Sequence, residues 1–155
     1  MMEIENLKYD WLILDLISKG YVFPFESVFE IEKEMPAFRF GFESFPEKNH
    51  TIQYLEEPKR FENKENIFSY CALSCYNSQA NAEKRYKELA EAHSNFRKLT
   101  GDSLFFGVIK PPDGCVTKKD KRGHFDLFEY KNFHASDKFK FFKRIQMVMI
   151  NDESC

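Results

Sequence analysis

Long apolar runs are missing from this 155-residue chain. None approaches the roughly 18 consecutive apolar residues that a bilayer span requires, so no membrane-crossing helix is expected. The first residues, MMEIENLKYDW, carry acids and no basic stretch ahead of an apolar one. The pattern of a secretory leader is therefore lacking, and a cytoplasmic location is the default expectation. Glycine is scarce at six residues, and no Gly/Ser linker, internal repeat or low-complexity tract is present. A chain of this length without linkers is expected to form one globular domain over residues 1–150 with a short tail at 151–155. Cysteine is limited to four residues, Cys71, Cys75, Cys115 and Cys155. In a reducing compartment they are expected as free thiols rather than a disulfide framework. Cys71 and Cys75 lie four apart in an apolar run read as a strand, roughly 13 Å from one another, too far to share a zinc ion. A nucleophilic Cys75 would need a neighbouring His, and no spacing in the sequence supplies one.

What the chain does have is phenylalanine. Its 18 Phe and 7 Tyr can fill a small core with few elements, because each ring buries a large area. Formal net charge is only −2, but it is unevenly spread. Residues 1–65 hold 14 acids and 8 bases, whereas residues 110–144 hold 5 acids and 10 bases. The basic end suits nucleic acid or an acidic partner, and it equally suits a solvated face.

Periodicity gives the outline of a fold. Leu7, Trp11, Leu14 and Ile17 recur at helical spacing between Asn6 and Gly20, which predicts an N-terminal helix. In FPFESVFEIEKEM, Pro24 suits a first helical position and predicts a second short helix, with a strand as the competing reading. FRFGFESF alternates Phe with Arg, Gly and Glu and reads as a strand. HTIQYLEE repeats the alternation more weakly, with PEKN as a hairpin loop between them. NIFSYCALSCY is almost wholly apolar, as in a strand covered on both faces. Ala82, Tyr86, Leu89, His93 and Phe96 define the buried face of a long helix over 78–99, capped by Asn77 or Ser78 and stopped by Gly101. His93 is expected in the core as a hydrogen-bonded residue. DSLFFGVIK, CVTK and HFDLFEYK then read as three strands of an antiparallel meander, joined by the turns PPDG and KDKRG. SDKFKFFKRIQMVMI fits either a helix or a strand with an irregularity near Lys143, and its aromatic content favours the strand. The expected fold class is α+β: a single domain with a mostly antiparallel sheet of about six strands and the helices packed on it.

One stretch carries a candidate chemistry. In a strand, Glu129 and Lys131 share a face, and Pro112-Asp113 precede them across one hairpin. This arrangement resembles the core of the PD-(D/E)xK nucleases. The resemblance implies that Asp113 and Glu129 hold Mg²⁺, which activates water and stabilises the phosphate's developing charge, while Lys131 assists electrostatically. It covers about residues 78–131. The same Pro112-Asp113-Gly114 also suits consecutive positions of a type I turn with no metal. His124 and Asp126 share the opposite strand face, about 7 Å apart, and could pair as base and orienting carboxylate. A third reading is RNA or single-stranded nucleic-acid binding, with Lys118, Lys119, Lys121 and Arg122, joined by Lys138, Lys140, Lys143 and Arg144, contacting phosphates and aromatic rings stacking on bases.

Weighed together, these features favour a non-catalytic binding or interaction domain with a protein partner and no cofactor. The Mg²⁺-dependent nuclease and the nucleic-acid binder are the alternatives.

Overall fold

In the computed structural model, which describes residues 2–44 and 49–147, seven antiparallel strands form one sheet. They are β1 (Val28–Glu30), β2 (Met35–Gly41), β3 (Leu73–Tyr76), β4 (Ser103–Ile109), β5 (Gly114–Thr117), β6 (His124–Glu129) and β7 (Lys140–Arg144), in the order β1-β5-β6-β3-β2-β4-β7. Five helices accompany them: α1 (Asp10–Ser18), α2 (Gln53–Glu56), α3 (Gln79–Ala92), α4 (Phe96–Thr100) and α5 (Ala135–Lys138). The α+β expectation holds, with one strand more than the six read from periodicity.

The register shows how the sheet curls. Glu30 pairs with Cys115 and Met35 with Ile109, so the β1–β2 segment runs beside the β4–β5 segment as one bent ribbon. The bend falls where Pro111 and Pro112 offer no backbone donor to a ladder. From β5 the ladder passes to β6, from β6 to β3, and from β3 back to β2 at the single pair Phe38↔Tyr76. The sheet thereby closes on its own ribbon through one residue pair. The sequence expectation of a β4–β5 hairpin is corrected here: PPDG bends one long strand and does not reverse it.

A buried side chain sits beside the closure. Immediately past Phe38, the buried Arg39 donates through Nη1 to the Ser74 carbonyl and through Nη2 to the Asn49 carbonyl, both at 2.8 Å. These bonds satisfy two acceptors near the point where the β2–β3 ladder stops. Strand alternation and pairing put Ala37, Arg39, Cys75, Phe105 and Phe125 on one face of the sheet. That face contributes to the larger core, with Leu12, Ile13 and Leu16 of α1 and the aromatic rings Phe68, Phe133 and Phe139. The other face gives Phe38, Tyr76 and Leu104 to a smaller core beneath Ala82 and Tyr86 of α3.

Several local expectations are corrected. Helix α1 buries Leu12, Ile13 and Leu16, while Trp11 and Leu14 stand 58% and 51% exposed. Two apolar stripes compete in this helix, and the sequence reading chose the outer one. Residues 25–27 form a 3-10 turn that leads straight into β1, so the competing strand reading holds at 28–30, and residues 31–34 connect β1 to β2 outside any strand. Residues 67–71 form a 3-10 turn and only 73–76 a strand, so Cys71 and Cys75 do not share a strand face. HTIQYLEE contributes α2 rather than a strand; residues 46–48 of the expected hairpin loop PEKN, residues 148–150 of the last segment read as a strand, and the tail 151–155 lie outside the described residues.

The helix read over 78–99 is two helices. Ser78 Oγ accepts from Asn81 N as the α3 cap. The helix leaves α geometry at His93 (φ −132, ψ 109), and α4 restarts after Asn95. His93, Ser94 and Asn95 are all weak helix formers, and the side chains of Ser94 and Asn95 compete for nearby backbone groups. His93 is consequently exposed, against the expectation of a core position. Past α4 the chain crosses β2 at contact distance, since a Cβ on Gly101 (φ +112) would lie 2.0 Å from the Gly41 carbonyl oxygen. The Tyr86 hydroxyl, fully buried, donates to the Gly101 carbonyl at 2.5 Å and fixes that crossing.

Candidate functional site

Asp113 and Glu129 do reach one end of the sheet, though not by the meander expected from sequence. Gly114 pairs with Glu129, and Tyr130 N donates to the Asp113 carbonyl. Their side chains have separate partners. Asp113 Oδ2 accepts from the Lys110 backbone N–H at 2.7 Å and pairs with Lys138 Nζ of α5 at 3.0 Å. It works as a turn cap and as an anchor for α5. Lys131 reaches away to Asp10 at the start of α1, Nζ to Oδ2 2.9 Å.

Glu129 is enclosed, its side chain 1% exposed, and Lys8 supplies its counter-charge at 3.1 Å. Lys8 also donates to the Phe133 carbonyl at 3.0 Å. Burial raises the Glu129 carboxyl above the ordinary carboxylate range, and Lys8 and Arg39 pull it only partly back. Glu129 Oε1 has no hydrogen-bond partner among the described residues, and neither do Arg39 Nε and His50 Nδ1. His50 stacks on Phe139 with ring centroids 6.0 Å apart. Burial first, then the charges of Arg39 and Lys8, hold its imidazole down to about 4, neutral at pH 7. The Lys8–Glu129 pair thus links the N-terminal segment to the sheet, and the charge of Arg39 acts on both Glu129 and His50. Sequence reading missed this arrangement, although Arg39 inside an alternating Phe strand was a usable signal: an Arg flanked on both sides by inward-alternating Phe is the residue that must find partners if the strand is covered on both faces.

His124 and Asp126 approach one another as the alternation implied. Ser74 Oγ lies 2.6 Å from His124 Nε2, Asp126 Oδ1 lies 3.8 Å from the same nitrogen, and Ser69 Oγ donates to Asp126 Oδ2 at 2.9 Å. A hydrolytic triad needs the carboxylate on one ring nitrogen and the serine on the other. Here both are on Nε2, so the arrangement cannot relay a proton as a triad does. Burial raises the Asp126 carboxyl, opposed by His124 and the Ser69 hydroxyl. Among the described residues, no three His, Cys, Asp or Glu side chains cluster as a metal site.

The basic residues divide into two groups. Lys118, Lys119, Lys121 and Arg122 project from the β5–β6 hairpin, exposed and without ion pairs among the described residues. Asp120 Oδ1 shapes this loop by accepting from the backbone N–H of Arg122 and of His124. Gly123, at φ +78, lets it pack on Asn77 and Asn81 at the start of α3. The second group belongs to β7, an edge strand with no neighbour on its outer side among the described residues. Lys143 pairs with Glu83 of α3, Arg144 with Glu43 and Asp102, and Lys140 bonds the Ser136 carbonyl. Phe141 and Phe142 are each 44% exposed on this strand. Consecutive in the strand, they point to different faces, Phe141 against Phe105 and Phe142 against Phe38 and Phe106, and the register shift opposite Leu104/Phe105 leaves Phe142 and Lys143 on the same face.

The cysteines read as structural. Cys71, Cys75 and Cys115 are free and buried, and burial pushes the thiols of Cys71 and Cys75 up to about 12. Thiols in that state are not nucleophiles. In native protein these three are expected to stay unmodified by a thiol-specific disulfide reagent and to react together once the chain is unfolded in urea. Mass mapping that finds Cys75 modified in folded protein would reopen the nucleophile reading.

No helix among the described residues is long and apolar enough to cross a membrane. Compared with protein-family models, with curated proteins and with solved structures, the chain matches none.

Proposed function

We propose that the chain is a binding domain that takes an extended, acidic segment of a partner protein along the open edge of β7. The observation that carries this reading is the pair of half-exposed rings, Phe141 and Phe142, on an edge strand where Lys140 makes no ion pair among the described residues, while Lys143 and Arg144 are held by Glu83, Glu43 and Asp102 of the same chain. An exposed, aromatic edge is the surface that natural proteins ordinarily shorten or cover, because its free N–H and C=O groups template another strand. Strand addition uses those groups for affinity and alternate side-chain positions for specificity. The acids of the nuclease reading support the binding reading indirectly, since Asp113 and Glu129 are each committed to a different lysine. Buried, unpaired thiols suit the cytoplasmic location that belongs to the same proposal. A second reading, single-stranded nucleic-acid binding, is favoured by the four unpaired bases of the β5–β6 hairpin and needs stacking rings beside them.

One panel separates the readings. Fluorescence anisotropy is measured with an acidic and a basic aromatic decapeptide and with a labelled oligothymidylate, with and without Mg²⁺. Wild type is expected to bind the acidic peptide, and Phe141→Ser/Phe142→Ser to lose that binding at least tenfold. Preference for the oligonucleotide, reversed by Lys118→Glu/Lys119→Glu, would move the function to nucleic acid. Mg²⁺-dependent shortening of the oligonucleotide would restore the nuclease.

A further inference from the structure

The two edges of the sheet differ in sign. At one edge, β1 and its flanks present exposed Glu26, Glu30 and Glu32 with exposed Phe25 and Phe29, the latter 51% exposed, and Lys33 as the one base among them. Lys118 and Lys119 follow the far end of the neighbouring β5, beyond the Val28↔Thr117 pair. The opposite edge, β7, presents Lys140, Arg144, Phe141 and Phe142. Each edge therefore has no strand beyond it among the described residues and carries protruding aromatic rings; the free charge is acidic at β1, with Lys33 and the nearby Lys118 and Lys119 as its bases, and basic at Lys140 of β7, where Arg144 is already paired with Glu43 and Asp102.

From this geometry we infer that the partner of the β7 edge is a second copy of this chain, docked through its β1 edge. The inference rests on the edge-binding reading above and names its occupant. Copies can join edges in three ways. Pairing β7 with β7 opposes Lys140 and Arg144 to themselves, and pairing β1 with β1 opposes Glu26 and Glu30 to themselves. Like charges directly across a strand pair destabilise it. Only β1 with β7 brings acids opposite bases and Phe29 toward Phe141 and Phe142. Such a contact is heterologous: each added copy leaves one β1 and one β7 edge free, so assembly continues to a ring or an open chain rather than stopping at a twofold dimer. Three to five residues per edge bury little surface, which places the contact in the weak class of interfaces.

The test uses two exposed single-charge variants, Glu30→Lys and Lys140→Glu. The native Glu30 side chain makes no ion pair among the described residues, and Lys140 bonds only a backbone carbonyl. Sedimentation velocity of full-length protein from about 10 µM to 1 mM at low salt is expected to show wild type associating beyond a dimer, with the association weakened by added salt. Glu30→Lys alone sets a base against Lys140, Lys140→Glu alone sets an acid against Glu30, and each is expected to need at least tenfold higher concentration to associate. An equimolar mixture again has an acid facing a base at every contact and is expected to recover wild-type association within threefold. Circular dichroism confirms that both variants are folded. Monomeric wild type at 1 mM, or a mixture no better than its components, overturns the self-pairing. If wild type stays monomeric yet binds the acidic peptide of the previous section, self-pairing alone has failed. Failure of both measurements removes the edge reading with it.

Discussion

Arg39→Met is expected to lower the unfolding free energy by about 4 kcal/mol, a large part of the roughly 5–15 kcal/mol available to a domain of this kind. The guanidinium donates to the Ser74 and Asn49 carbonyls at 2.8 Å each. Hydrogen bonds from a charged donor are worth about 1.5–3 kcal/mol apiece, and a buried acceptor left without its donor bears the cost of its lost hydration. Methionine keeps the apolar stem and removes only the fork, so the loss reports the polar contacts and not a cavity. Arg39→Lys is expected to recover less than half, because one ammonium cannot span two acceptors that a planar fork reaches together. The loss should be local in its first steps. The sheet closes by one residue pair beside Arg39, so amide exchange in β3 and at Phe38 should accelerate before exchange in the seven-pair β2–β4 ladder. Urea denaturation gives the total and hydrogen exchange gives the order. Uniform acceleration across both ladders would show that Arg39 is not what holds the closure.

How much of this was written in the sequence depends on the range of the interaction. Strands with a local apolar signal were legible: the Phe38-Arg39-Phe40 stretch falls where period two placed it, and 103–109 and 124–129 fall in the segments DSLFFGVIK and HFDLFEYK read as strands. The edge strand β7 was legible as well, because aromatic content outweighed an equally good helical spacing and the expected irregularity near Lys143 appears as the register shift at Leu104/Phe105. Elements set by tertiary contact were not. The apolar run 67–71 lacks any local signal against a strand, and it turns 3-10 where its Phe68 ring meets Phe23 edge-on at 5.1 Å and Ser69 reaches Asp126. Helix α1 offered two stripes, and the choice between them is made by what covers the helix. The candidate site shows the same division. Alternation brought His124 and Asp126 to one face, visible locally, whereas Asp113 reaches the end of β6 through the Gly114↔Glu129 pairing and not through the reversal read for PPDG. That Lys8, 121 residues away, would occupy the Glu129 carboxylate is a long-range fact that no spacing encodes.

Lys8→Met is expected to cost about 3 kcal/mol at pH 7, whereas Glu129→Gln, which removes the other half of the same pair, is expected to stay within about 1 kcal/mol of wild type. The asymmetry comes from burial. Deleting the lysine strands a carboxylate whose side chain is 1% exposed and whose Oε1 already lacks a partner among the described residues. Deleting the carboxylate leaves a lysine that is 33% exposed and still bonded to the Phe133 carbonyl. The pH dependence has a definite sign. The folded pKa of Glu129 is raised above its unfolded value near 4.5, with burial outweighing Lys8 and Arg39. Its penalty is therefore absent below that value and develops as pH rises through the folded one. Removing Lys8 raises the folded value further, so the deficit of Lys8→Met should shrink on acidification from pH 7 toward 4.5. Urea titrations at pH 7 and pH 5 measure this, and Lys8→Met/Glu129→Gln should regain most of the loss at pH 7. The same variants weigh the catalytic reading. If Glu129 held a metal for phosphodiester cleavage, Glu129→Gln would remove a Mg²⁺-dependent activity while Lys8→Met, freeing the carboxylate, would keep or raise it. If Glu129 serves to tie the N-terminal segment to β6, only Lys8→Met has a phenotype, and that phenotype is stability.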